Sequence, residues 1–180
     1  MVGPAGLTVA GATEEQGTED GRAVRAVREA LDALGLDWSE TARGLFSVTL
    51  PGTRKLQTEC ALQVGRHHLA VRAFVARRPE ENEVGVYGWL LERNLKLSLV
   101  AFARDSLGDI YLTGRLPVAA VTADTVDQLL GIVAETADSA FNTILELGFA
   151  DSIRREWAWR RSRGESTANL AAFTHLDPGP

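Results

Sequence analysis

The 180-residue chain is poor in the residues that make covalent staples and metal sites. It holds one cysteine, Cys60, and three histidines. One thiol closes no disulfide within the chain. Nor can it build a cysteine-ligated zinc site or an iron–sulfur cluster. No apolar run reaches the ~18 residues that a membrane helix needs. Lysine is scarce: Lys55 and Lys96 stand among 19 bases, and the rest are arginines. Gly-x-x-x-x-Gly-Lys, Gly-x-Gly-x-x-Gly and His-Glu-x-x-His are all missing, which removes the usual phosphate, dinucleotide and zinc-protease signatures.

What is present is a globular composition. Apolar residues make up 45% and charged residues 24%, near the average for soluble domains. A chain this long buries about 70% of its unfolded surface, enough for a core without staples. Net charge is −5, unevenly spread. Glu14, Glu15, Glu19 and Asp20 lie in residues 1–21, which hold no base. The remainder is close to neutral, so a general field for nucleic acid is absent. The start, Met1-Val2-Gly3-Pro4, does not read as a secretory signal. A cytoplasmic location is expected, in keeping with a lone, apolar-flanked cysteine.

Three segments are expected: an acidic, disordered tail over 1–20, one domain over 21–176, and a frayed end over 177–180. A helix is expected from Gly21 to Leu34, where Val24, Val27, Leu31 and Leu34 recur at helical spacing. Three strands should follow. Phe46, Val48 and Leu50 alternate with polar residues, and so do Leu56, Thr58, Cys60, Leu62 and Val64. Gly65-Arg66 suits a type II′ turn into His68–Ala76. A helix from Glu80 precedes a hairpin of Leu97–Arg104 and Ile110–Leu116. A long helix, Ala123–Leu147, should start at an N-cap, Thr122. Its apolar stripe includes Phe141, read here as core. At 1.5 Å per residue it would span ~37 Å, so it either crosses the sheet or reaches toward a partner chain. Residues 151–173 look helical, with a break at Gly164. The pattern predicts an α+β fold of order α-βββ-α-ββ-α-α: a five-stranded antiparallel or mixed sheet with helices on one face.

Candidate chemistry is sparse. His67 and His68 are neighbours on a strand and point to opposite faces. Cys60 shares an apolar face with Leu62 and reads as a buried, inert thiol. Asp105 and Asp109 flank a glycine, as a hairpin turn requires, without calcium-loop spacing. Glu59, His67, Asp109 and Tyr111 are scattered polar groups. No catalytic residue, cofactor or metal is expected.

The oddest stretch is Arg154, Arg155, Trp157, Trp159, Arg160, Arg161 and Arg163. Arginine and tryptophan dominate protein hot spots, and arginines with stacking rings also suit nucleic acid. An amphipathic terminal helix explains the same residues with no ligand. Trp157 and Trp159 lie about 200° apart on a helix, so one of them must leave the buried stripe.

Five stretches carry a resemblance. They are Trp89-Leu90-Leu91-Glu92-Arg93-Asn94, Gly108 through Pro117, Ala137-Asp138 with Phe141-Asn142, Leu147-Gly148-Phe149, and Ser152 through Trp157 with Trp159-Arg160. Over about residues 80–170 the chain resembles the YbjN family in its actinobacterial form. The resemblance implies a fold similar to type III secretion chaperones, commonly dimeric, and a regulator of sensory or stress responses. It brings no catalytic residues. The combined expectation is a non-enzymatic, chaperone-like adaptor or regulator. It would be a homodimer that binds another protein along a sheet edge or groove, with Arg154, Arg155, Trp157, Trp159, Arg160 and Arg161 as candidate partner contacts. The alternatives are a nucleic-acid-linked regulator acting through residues 154–163, and a small-ligand domain.

Overall fold

The computed structural model describes the backbone of residues 9–179 and the side chains of residues 19–179. Helix α1 spans Val9–Ala33. It starts well before the expected Gly21, so residues 9–20 belong to it. That stretch holds Ala10, Ala12, Glu14, Glu15, Gln16 and Glu19, residue types that favour helix. Ala23, Val27, Ala30 and Leu31 are buried at three-to-four spacing. Gly35, at φ 61°, closes the helix. Leu36 N donates to Leu31 O and Gly35 N to Asp32 O, a pairing that only a left-handed C′ residue allows.

Six strands follow: β1 Asp37–Ala42, β2 Leu45–Pro51, β3 Gln57–Val64, β4 His68–Ala76, β5 Val100–Arg104 and β6 Ile110–Pro117. The sheet runs β1-β2-β3-β4-β6-β5, and every neighbouring pair is antiparallel. The fold class is as expected, with one correction: there are six strands, not five. Strand β1 escaped the pattern because its sequence, Asp-Trp-Ser-Glu-Thr-Ala, buries neither face. A strand without a wet and a dry side shows no alternation. The observed order is α-ββββ-α-ββ-α-α.

The turn between β3 and β4 also differs. Gly65 N donates to His68 O, which makes Arg66 and His67 the central residues. Gly65 does not take the positive φ of a II′ turn. One glycine in β6 is compelled by its surroundings. A Cβ on Gly114 would stand 2.3 Å from Leu99 O, and Leu99 itself turns into β5 at φ 64°.

Helix α2, Glu83–Asn94, links β4 to β5. Helix α3 spans Ala123–Gly148, with Thr122 and Thr125 forming a reciprocal cap. Val126, Leu129, Leu130, Val133, Ala137, Ala140 and Ile144 are buried along it. It lies across the sheet, touching β2, β3, β4 and β5 as well as α1 and α2. The sheet face beneath it carries Phe46, Val48, Leu62, Leu69, Val71, Ile110 and Leu112, all at most 2% exposed. Each of the larger of these side chains contributes about 1.5–3 kcal/mol by leaving water. The opposite sheet face is bare: Ser47, Ala61, Arg72 and Arg115 are exposed.

Helix α4, Ala150–Arg163, ends at Gly164 with φ 68°. A kinked 3-10 segment, Ala168–Leu176, then folds back on it. Ile153, Trp157, Leu170 and Phe173 form a second apolar cluster, flanked by Leu145 and Leu176. Phe141, expected in the core, is only half-buried. Phe141 stands beside the β2–β3 turn, with Lys55 Nζ 5.5 Å from the centre of its ring.

Candidate partner-binding surfaces

The arginine and tryptophan stretch is helix α4, and its side chains divide sharply. Trp157 is 6% exposed and belongs to the second apolar cluster. Its indole N–H is buried with no partner among the described residues. Trp159 points away and is 45% exposed. The arginines are largely neutralised by acids. Arg154 pairs with Asp151 at 2.6 Å and Arg155 with Glu80 at 3.4 Å. Arg160 pairs with Glu156 at 2.6 Å and approaches Glu165 at 3.8 Å. Arg161 pairs with Asp177. Only Arg163 stacks without an acid, 5.3 Å from the centre of the Trp159 ring. Three of these five acids lie outside α4, at 80, 165 and 177, so the stretch is basic in sequence and nearly balanced in space.

Helix α2 leaves apolar side chains in water. Val84, Leu91 and Leu95 are 88%, 66% and 87% exposed, and their spacing puts them on one side of the helix. Leu107, in the β5–β6 turn, is 73% exposed. Tyr87, Leu90, Leu91 and Phe102 border a hollow of about 250 Å³ between α2 and β5. This is the main concentration of wet apolar residues among those described.

The two sheet edges differ. At the β5 edge, the Asn94 carboxamide accepts from Phe102 N at 2.8 Å and donates to Phe102 O at 3.2 Å. It pairs with the strand as a neighbouring backbone would, so the middle of that edge is closed. Among the described residues no side chain does this at the β1 edge. Glu40 instead ties β1 inward, accepting from Gly44 N at 2.9 Å and from the Arg28 guanidinium at 2.5 Å. The hydrogen bond from Gly44 and the Arg28 charge hold its carboxyl below the usual value.

The Asp138 region explains one of the stretches singled out in the sequence. One Asp138 oxygen accepts the backbone N–H groups of Thr53, Arg54 and Lys55 at 2.8, 2.7 and 2.9 Å. The other accepts from Thr53 Oγ1 at 2.9 Å. Burial pushes this carboxyl up, but the bonds from Lys55, Thr53 and Arg54 outweigh it and hold it low. Gly52 leaves room for the contact, since a Cβ there would lie 2.7 Å from the carboxylate.

The scattered polar groups do not converge. Burial pushes the Cys60 thiol up to about 12, with Glu59 adding to it. Asp105 accepts from Leu107 N and Asp109 N, and Asp109 accepts from Arg78 N, as turn residues do. Among the described residues, no cluster of three or more His, Cys, Asp or Glu could hold a metal. No described helix is long and apolar enough to cross a membrane.

Comparison with known proteins decides the family. A profile described as "YbjN: Putative bacterial sensory transduction regulator" matches residues 23–146. The chain belongs to the YbjN family. Among YbjN relatives, the uncharacterised protein Rv0487 of Mycobacterium tuberculosis is 50% identical over 159 residues, covering 86% of this chain and 87% of its own. An uncharacterised protein of Mycobacterium leprae is 49% identical, covering 86% of each. A chain of the ExsC–ExsE complex superposes with a TM-score of 0.52 at 16% identity, covering 69% of this chain and 95% of its own. A chain of the HopA1–SchA chaperone–effector complex gives 0.51 at 10% identity, with 68% and 94% covered. At such identities the likeness is one of fold. This YbjN chain has the type III secretion chaperone-like fold, and α4 with the 3-10 segment lies beyond the matched YbjN profile.

Proposed function

We propose that this protein is a non-enzymatic, chaperone-like adaptor in the cytoplasm, which works as a homodimer and holds a segment of another protein. The observation that carries the reading is the apolar side of α2. Val84, Leu91 and Leu95 stand in water beside Leu107, while the core elsewhere is well covered. A second copy related by a two-fold axis would bury the same residues twice over, as an isologous interface requires. The partner segment is assigned to the sheet edge that remains free. Asn94 closes β5, whereas β1 offers its outer backbone groups to an added strand. Asp37 and Glu40 on β1 discourage indiscriminate pairing. A fold shared with a chain of a chaperone–effector complex supports protein binding as the kind of task. Sensory signalling is the context that the family description suggests.

Of the α4 residues, Arg155, Trp159 and Arg160 border a shallow hollow, and with the exposed Arg154 and Arg161 they remain the accessible partner contacts. Trp157 is withdrawn from that role by its burial. The ion pairs of Arg154, Arg155, Arg160 and Arg161 weaken the nucleic-acid alternative, because paired arginines release few counterions.

The test is the mass in solution by light scattering. The expected value is twice 19.4 kDa, falling to the monomer in Leu91→Glu. A native chain that stays monomeric at every concentration defeats the dimer. A native dimer that Leu91→Glu leaves intact defeats the α2 interface.

A further inference from the structure

The α4 extension does more than lengthen the chain. Its 3-10 segment stands opposite the β2–β3 turn and leaves a groove of about 670 Å³ between them. The turn contributes Arg54, Lys55 and Leu56, α3 contributes Phe141 and Asn142, and the 3-10 segment contributes Asn169. These residues come from three separate parts of the sequence, and one of the three lies outside the matched family profile.

The chemistry of the walls is mixed. Lys55 Nζ sits 5.5 Å from the centre of the Phe141 ring and 5.6 Å from that of Phe74. It donates one hydrogen bond, to Gln57 O at 2.9 Å, and an ammonium has three donors. Burial pushes the Lys55 amine down, partly offset by the Glu59 charge. Neither Arg54 nor Lys55 has an ion pair within 4 Å among the described residues. The Asp138 carboxylate beneath the turn is saturated by the turn itself. It shapes the loop and leaves the cations unpaired. The Asn142 and Asn169 carboxamides also have no partner among the described residues. Leu56, 81% exposed, stands at the rim.

Two unpaired cations, two idle carboxamides and an apolar floor describe one kind of ligand. We infer that the groove between the β2–β3 turn and the 3-10 segment binds an extended acidic peptide segment of a partner protein. The carboxamides meet the peptide backbone, Lys55 and Arg54 meet an acidic side chain, and Leu56 and Phe141 cover its apolar neighbour. The inference rests on the adaptor reading only in taking the ligand to be a protein segment. It concerns a surface separate from α2 and β1.

The probe is a fluorescein-labelled twelve-residue peptide of Glu, Ala and Leu, read by anisotropy on the full chain. Its counterpart has Gln at every Glu. The acidic peptide is expected to bind at least about tenfold more tightly than the Gln peptide, a gap of about 1.4 kcal/mol. Lys55→Gln should remove most of that gap, and Ala172→Trp, which fills the groove from its exposed wall, should block both peptides. Leu91→Glu should leave binding unchanged, so failure here is distinct from failure of the dimer. Equal binding of the two peptides overturns the inference. So does acidic binding that survives both groove variants. Displacement by free glutarate at the peptide's own concentration also overturns it, because the site would then serve small carboxylates.

Discussion

Replacing Asp138 by Asn tests how a distant loop is fixed to α3. The native carboxylate takes three N–H bonds and one O–H bond from Thr53, Arg54 and Lys55. Hydrogen bonds to a charged group are worth about 1.5–3 kcal/mol when shielded from water. Here water reaches most of the donors, so about 0.5 kcal/mol each, or ~2 kcal/mol in all, is the reasonable scale. Asn keeps one carbonyl oxygen for the N–H groups and loses the charge, for an expected loss of about 1 kcal/mol at pH 7. In a chain of this size that lowers Tm by roughly 2–4 °C. The pH dependence has a definite sign. The Asp138 carboxyl is held low in the folded state, so its stabilisation is present above the unfolded value of about 3.9. It is lost as pH falls through the still lower folded value. Urea unfolding of both proteins from pH 7 downward is the assay. The gap between them should stay constant to about pH 5 and narrow below about 4. A gap under about 0.3 kcal/mol at pH 7, or one that does not narrow in acid, refutes the account of this carboxylate.

Two more outcomes follow from burial. Trp157→Ala should cost the α4 cluster about 3–5 kcal/mol of local stability. Limited proteolysis should then cut near Gly164 while the body of the sheet resists, and a variant as resistant as the native chain would show that the cluster does not hold α4. Cys60 is 2% exposed and its thiol is pushed up to about 12. It should resist iodoacetamide at pH 8 until denaturant is added, and rapid labelling of the folded chain would contradict its placement.

Residues that face both water and core wrote themselves into the sequence, and residues held by distant partners did not. Strand β3 was plain because Thr58, Cys60 and Leu62 are buried between exposed neighbours. Thr122 was legible as a cap because its partner is three residues away. The opposite faces of Trp157 and Trp159 followed from helical geometry alone. Strand β1 was silent because backbone pairing with β2 holds it, and backbone pairing leaves no mark on side-chain pattern. The charge of α4 misled for a related reason: Glu80 and Asp177, which pair Arg155 and Arg161, are far away in sequence. The groove was invisible altogether. Phe141 read as core because its period matches the stripe, and period does not say how deeply a residue is covered.

The strand order has a consequence for how the chain is made. Four of the five pairings join strands adjacent in sequence, and only β4–β6 reaches over an inserted helix and strand. Local pairings close early, because their loops cost little entropy. The β1–β4 meander can therefore assemble on the ribosome as soon as residue 76 has emerged. Its dry face then waits for α3, which begins at Ala123 and ends at Gly148. At ~5–20 residues per second, that wait lasts several seconds. During it only α1 shields Phe46, Val48 and Leu62. Synthesis speed between β4 and α3 thus sets how long this protein exposes the same face that later makes its core.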